Sequence, residues 1–291
     1  MLEMLQQIGH ILSYPFAVRA LIVGILVALC ASLLGVSLVL KRMSFIGDGL
    51  SHVAFGALAI ATALKLSDEM LLVLPITVIA AILLLRGGKK AKIRGDASLA
   101  LWAVGSLALG YLIINLFGNG GNVAGDVCTT LFGSTSILTL KTADLWICGI
   151  MAAVVLLLFF LFYRQIFAIT FDEEFAAATG LHTQAYQLLI AAITAVVIVI
   201  AMNLVGSLLI SALVIFPALA AMQVFKRFRD VMLCSALVGV GAAALGILIS
   251  FAPTQAPIPM GATVVAVNLV IFLIFALIGK FKSLQIRKSH I

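Results

Sequence analysis

Charge is what this chain has least of. Asp, Glu, Lys and Arg make up 10% of its 291 residues, against roughly 25% in an ordinary soluble domain. The four cysteines, Cys30, Cys128, Cys148 and Cys234, are scattered and mostly sit within apolar runs, with no Cys-x-x-Cys. That excludes a disulfide framework and a zinc knuckle. No G-x-x-x-x-G-K-S/T occurs anywhere, so the chain has no loop to cradle the phosphates of ATP. There is no HExxH either, and a lone histidine inside an apolar run does not make an intramembrane hydrolase. Lys and Arg outnumber Asp and Glu by 18 to 11, giving a formal charge of +7. They collect in short loops between apolar runs and form no basic stripe interleaved with aromatics, which argues against nucleic acid as a partner.

What is present is hydrocarbon. Apolar residues account for 64% of the chain and the mean hydropathy is +1.28. Several runs reach the roughly 20 residues that cross about 30 Å of lipid as a helix, and lipid cannot satisfy the backbone groups of open strands. The fold class is therefore all-α, a polytopic membrane protein forming one transmembrane domain over 1–291. Apolar runs and loop charges predict about nine spans, near 17–40, 45–64, 70–86, 97–117, 143–163, 185–202, 204–225, 231–251 and 261–279. Asn203 and Gly206 suggest the turn that divides the long run from 185 to 225.

The first run follows no basic segment, Arg19 being the first positive residue, and ends in Lys41 and Arg42. It reads as a retained span rather than a signal peptide. The basic span ends all fall on one side if the N-terminus is outside and the C-terminus cytoplasmic, as the positive-inside rule favours. Two connections stand out. Residues 118–140 are too polar for a lipid-facing helix and too apolar for a free loop, and suit a partial or re-entrant helix. Residues 251–261 carry three prolines and read as an outside loop. Small residues at Ala57, Ala61 and from Gly239 to Gly246 are explained by close helix packing.

Two places carry chemistry. Asp48 and His52 are four residues apart in an apolar span, so they share a helix face. A carboxylate and an imidazole together offer ligands to a divalent cation, and ionisable groups at bilayer depth mark ion paths or proton relays. A helix-end Asp hydrogen-bonded to a neighbouring His is the structural alternative. A helix begun at Arg42 would put His52 about 15 Å along its axis. The second place is TFDEEFAAATGLHTQAY, where Asp172, Glu173 and Glu174 stand on the side otherwise rich in Lys and Arg. Helix formers follow, then Gly180 to end the helix, so 171–182 reads as a short cytoplasmic helix with an acidic front. The front also suits the helix dipole without any partner. His10, His182 and His290 read as solvated, Asp96 as a helix cap or salt bridge, and Asp126 as a turn residue.

Glu174 with Gly180 six residues later resembles the EAA-x-x-x-G signature of ATP-binding-cassette importer permeases. Together with VLKRMSFIGDGLSHVAFGALA (39–59), VGSLLISALVIFPALAA (205–221) and LGILISF with IPMGATVV after it, the chain resembles the zinc/manganese permease family of these importers. The resemblance implies a permease subunit that binds no permanent cofactor and passes Zn²⁺, Mn²⁺ or Fe²⁺. It also implies two copies or a pair of permeases, cytoplasmic ATP-binding subunits that dock on Asp172, Glu173, Glu174 and Gly180, an extracytoplasmic metal-binding protein, and placement in a bacterial inner membrane. The motif's metal residues fall on Asp48 and His52. Where many members have a proline bend after the His, this chain has Val53, Ala54, Phe55 and Gly56. A proton-coupled secondary transporter and a siderophore or cobalamin permease are the competing functions.

Overall fold

A computed structural model describes residues 14–66, 68–87, 96–117, 140–251 and 259–289. Among the described residues there are eleven helices and no strand: α1 (Pro15–Leu40), α2 (Ile46–Ala63), α3 (Met70–Gly87), α4 (Asp96–Phe117), α5 (Thr142–Leu161), α6 (Tyr163–Phe171), α7 (Glu173–Ala178), α8 (Thr183–Val205), α9 (Ser207–Val224), α10 (Phe228–Ser250) and α11 (Met260–Ser289). Eight are long and apolar enough to cross a membrane, and α3 adds a shorter apolar helix over Met70–Leu84. That agrees with the expected nine crossings. The expected re-entrant helix lies almost wholly outside the described residues, as does most of the proline-rich connection.

Local chemistry explains the boundaries. Pro15 opens α1, where its missing N–H is no loss. After α1 the amides of Arg42 and Met43 return to the carbonyls of Val39 and Leu38, and after α2 those of Lys65 and Leu66 return to Thr62 and Ala61. Both are Schellman closures, but the left-handed position holds Arg42 (φ 57°) and Lys65 (φ 53°) instead of glycine. Each of these residues places a cation next to a helix C-terminus, whose negative end favours positive charge. Between α8 and α9 the single residue Gly206 takes φ 92° and ψ 152°, a region essentially closed to side chains. The span expected at 143–163 stops earlier: α5 ends at Leu161, the chain bends at Phe162, and α6 continues as a separate helix with a buried and an exposed side.

α1 and α9 lie at the centre. α1 packs on α9, α10, α5 and α8, and α9 packs on α1, α11, α10, α2 and α8. α2 is gripped mainly by α4, then by α3, α9 and α8. Without a hydrophobic effect between helices in lipid, close approach of small residues supplies the contact. A Cβ on Gly35 would overlap the Val214 carbonyl of α9, one on Gly56 would lie 3.0 Å from the Ser106 carbonyl of α4, and one on Gly246 would lie 2.5 Å from Val264 Cα of α11. Ser235 of α10 donates to the Ser32 carbonyl of α1 at 3.0 Å. Most of α4 and α11 faces outward.

Gly35→Ala should therefore lower stability by about 1–3 kcal/mol, the usual cost of overpacking. Gly241→Ala, where nothing lies within 4 Å, should be neutral or slightly stabilising through helix propensity. Thermal unfolding of the two purified variants in the same detergent checks the contrast.

Candidate functional site

Asp48 and His52 do share a face of α2. Asp48 occupies the first turn, where a carboxylate suits the helix dipole, and His52 follows one turn on. His52 Nε2 lies 3.5 Å from Asp48 Oδ1, longer than the usual 2.7–3.2 Å of an N–H···O bond. Two atoms bound to one tetrahedral ion at about 2.1 Å each are separated by about 3.4 Å, so the spacing already matches that of a shared ion. His52 Nδ1 is buried without a hydrogen-bond partner. His52 is 15% exposed and Asp48 44%, so the imidazole is held in the bundle while the carboxylate opens outward.

The depth differs from expectation. Because the closure after α1 occupies Lys41 to Met43, α2 starts at Ile46, and His52 lies only about 9 Å along the helix. The helix then runs unbroken to Ala63, as expected where no proline follows the histidine.

Two neighbours hold Asp48 in place. On one side Gly47 packs toward Ser211 of α9, where a Cβ would lie at an ordinary 3.5 Å from Ser211 Cα. On the other, a Cβ at Gly49 would lie 3.6 Å from Leu99 of α4. Phe45, Asp48, Gly49, Leu99, Ala100, Ala103 and Val104 line a cavity of about 250 Å³. The carboxylate thus borders a largely apolar chamber open to the surface of the chain. Ser211 and the α4 wall were not singled out from the sequence. Their approach depends on which small residues face each other across helices, which spacing along one helix does not reveal. Among the described residues no three His, Cys, Asp or Glu side chains gather as a metal site.

The acidic segment forms α7 as a capped single helix. Asp172 is the N-cap, its Oδ1 accepting from the Phe175 amide at 2.9 Å, and Glu173 and Glu174 fill the first turn. The amides of Gly180 and Leu181 return to the carbonyls of Ala177 and Ala176, with Gly180 at φ 87°. This is a Schellman closure with glycine in its usual place. Phe175 projects outward, 66% exposed. Glu173 and Glu174 also border a cavity of about 570 Å³, which Lys41 and Met43 line from the α1–α2 turn and Gln184 and Gln187 from α8. The acidic helix and the α1–α2 turn therefore meet across one space. This proximity was not evident from the sequence.

Of the remaining candidates, His182 is exposed and precedes α8, and Asp96 begins α4. His10, Asp126, Cys128 and His290 lie outside the described residues. Cys30 and Cys148 are buried and Cys234 partly so, all as free thiols.

An all-helical bundle with an ionisable pair on a span and a capped acidic helix between spans has the organisation of a membrane permease. The model of the ABC 3 transport family matches residues 13–279, and the chain belongs to that family. It is similar to the manganese transport system membrane protein MntC of Halalkalibacterium halodurans, at 31% identity over 83% of this chain and 80% of that one. It is also similar to the high-affinity zinc uptake system membrane protein ZnuB of Haemophilus influenzae, at 30% identity over 75% and 81% respectively. Among solved structures it resembles PsaBC from Streptococcus pneumoniae in complex with Fab, with a TM-score of 0.78 and 28% identity over 93% of this chain and 94% of that one.

Asp172→Ala removes the α7 cap and should cost that helix about 1 kcal/mol. Gly180→Val forces a branched side chain into the left-handed region and should cost roughly 1–2 kcal/mol. Both should speed amide exchange over 173–178 without reducing the amount of protein inserted, as hydrogen–deuterium exchange would show.

Proposed function

We propose that this chain is the membrane-spanning permease subunit of an ATP-binding-cassette importer for Mn²⁺ or Zn²⁺, with Asp48 and His52 as the metal ligands of its pathway. The observation that carries the reading is the 3.5 Å separation of Asp48 Oδ1 and His52 Nε2 on a membrane span. It suits a single ion better than a tight hydrogen bond, and a carboxylate there is otherwise costly. The relatives' names supply the choice of metals, one manganese and one zinc; iron rests on the sequence resemblance alone. The cavity at Asp48, about 250 Å³, is below the usual 300–1,000 Å³ of pockets for drug-sized ligands, which favours a bare ion over a siderophore or cobalamin. Membership in an ABC transport family argues against a self-sufficient proton-coupled carrier.

In this reading the whole chain is one permease domain with 171–182 as its coupling segment. The N-terminus lies outside a bacterial inner membrane and the C-terminus in the cytoplasm. ATP is hydrolysed on separate subunits that dock on Asp172, Glu173, Glu174 and the turn at Gly180, and an extracytoplasmic binding protein delivers the ion. Two protein ligands from one chain are too few to select a divalent ion. A second permease, identical or closely similar, brings its own pair so that four ligands converge. Such a set suits Zn²⁺ directly and Mn²⁺ with added water or carbonyl oxygen.

In a reconstituted transporter with its ATP-binding subunits, Asp48→Ala and His52→Ala should each reduce uptake of radioactive Mn²⁺ or Zn²⁺ by roughly a hundredfold. Loss of a direct ligand should cost at least as much as loss of its supporting partner. The amount of assembled complex should stay nearly constant. Near-normal uptake by the double variant at equal protein would return the pair to a structural role. Uptake by the wild-type chain with no ATP-binding subunit present would remove the importer reading altogether.

A further inference from the structure

One face of α6 is only partly covered among the described residues. At about 100° per residue, Arg164, Phe167 and Phe171 fall on the same side, while Ile166, Ile169 and Thr170 are buried on the other. Phe167 and Phe171 pack together with centroids 4.8 Å apart. Both rings meet Phe228, at 5.4 Å and 5.9 Å, and Phe228 also meets Tyr163 at 5.7 Å. Phe228 is buried, but Phe167 and Phe171 remain 43% and 56% exposed. Phe228 is the first residue of α10 and stands among Lys226, Arg227 and Arg229, all exposed. Two segments distant in sequence thus bring four cations, Arg164 included, around one exposed aromatic cluster. Among the described residues none of the four side chains makes an ion pair or hydrogen bond. The nearby acids are otherwise placed: Asp172 caps α7 and Asp230 sits in the first turn of α10.

We propose that this face binds the phosphate headgroup of an anionic membrane lipid. Its position favours lipid over a protein partner. Two apolar helices end here, α5 at Leu161 and α10 at Phe228, which sets the cluster at headgroup level, where aromatic rings gather and Arg and Lys reach toward phosphate. The chemistry is complementary on two counts. The guanidinium groups match the phosphate oxygens, and the exposed faces of Phe167 and Phe171 give the glycerol and upper acyl chain an apolar seat that inorganic phosphate would leave wet. The site is separate from Asp48 and His52 and does not depend on which ion is carried.

The test uses the full chain in its assembled transporter, offered phosphatidylglycerol and phosphatidylcholine of identical acyl chains in equal amounts, with retained lipid counted by native mass spectrometry. Wild type should retain phosphatidylglycerol preferentially. The combined Arg164→Gln, Arg227→Gln and Arg229→Gln variant should lose that preference by roughly tenfold or more, given the attraction of each juxtamembrane cation to anionic lipid. The matching Arg→Lys variant, equally altered in shape but still charged, should keep most of it. The proposal fails if wild type shows no preference, if the neutral variant keeps it, or if millimolar inorganic phosphate displaces the lipid. It fails equally if the neutral variant sheds its ATP-binding subunits while its lipid preference is unchanged, a result that would assign the face to protein docking.

Discussion

Everything at the candidate site depends on how closely α2 can be gripped by its neighbours. A carboxylate and an imidazole on a membrane span bring a desolvation cost that dispersion contacts alone must hold in place. Glycine at 56 allows α4 to approach closely, while Gly47 and Gly49 lie at ordinary packing distance from α9 and α4 on two sides of the same helix. The fixed backbone leaves the Asp48 carboxylate at an open edge while His52 is held inside. A looser α2 would keep Asp48 and His52 on one face of the helix but would draw that face away from α9 and α4.

The site and the acidic helix are joined by short covalent and packing links rather than by a long rigid element. Only five residues separate the end of α1 from the start of α2. Within them Arg42 holds a backbone conformation that costs free energy for any residue with a Cβ. Lys41 and Met43 of the same turn border the cavity shared with Glu173 and Glu174. A strained turn beside the acidic helix and six residues from the Asp48 backbone is a place where a small displacement at one end has few residues over which to dissipate.

Much of this was legible in the sequence, and the reasons are local. Span positions followed from run length, and the division at Gly206 from a single residue able to take φ 92°. The placement of Asp48 and His52 on one face followed from helical period, and α7 from a capping aspartate and a closing glycine. What escaped was of two kinds. α6 went unrecognised: the expected span closed at 163, where this helix begins, and only the bend at Phe162 marks YRQIFAITF as a separate helix. The contact of Ser211 with the α2 turn and the meeting of Phe167, Phe171 and Phe228 join residues distant in the chain, and pairing of that kind has no signature in periodicity. The depth of His52 was overstated because the rise was counted from Arg42, which belongs to the closure after α1, whereas α2 starts at Ile46.

The one-residue junction at Gly206 has a further consequence for how this family can change over time. Because α8 passes into α9 with no slack, the junction fixes the rotational phase of everything after it. Inserting or deleting a single residue there would turn α9 by about 100° about its axis. That would carry Ser211 and the Val214 carbonyl away from Gly47 and Gly35 together. Length variation should therefore accumulate elsewhere in related chains, and this corner should behave as a fixed point of the alignment even where the residues around it diverge.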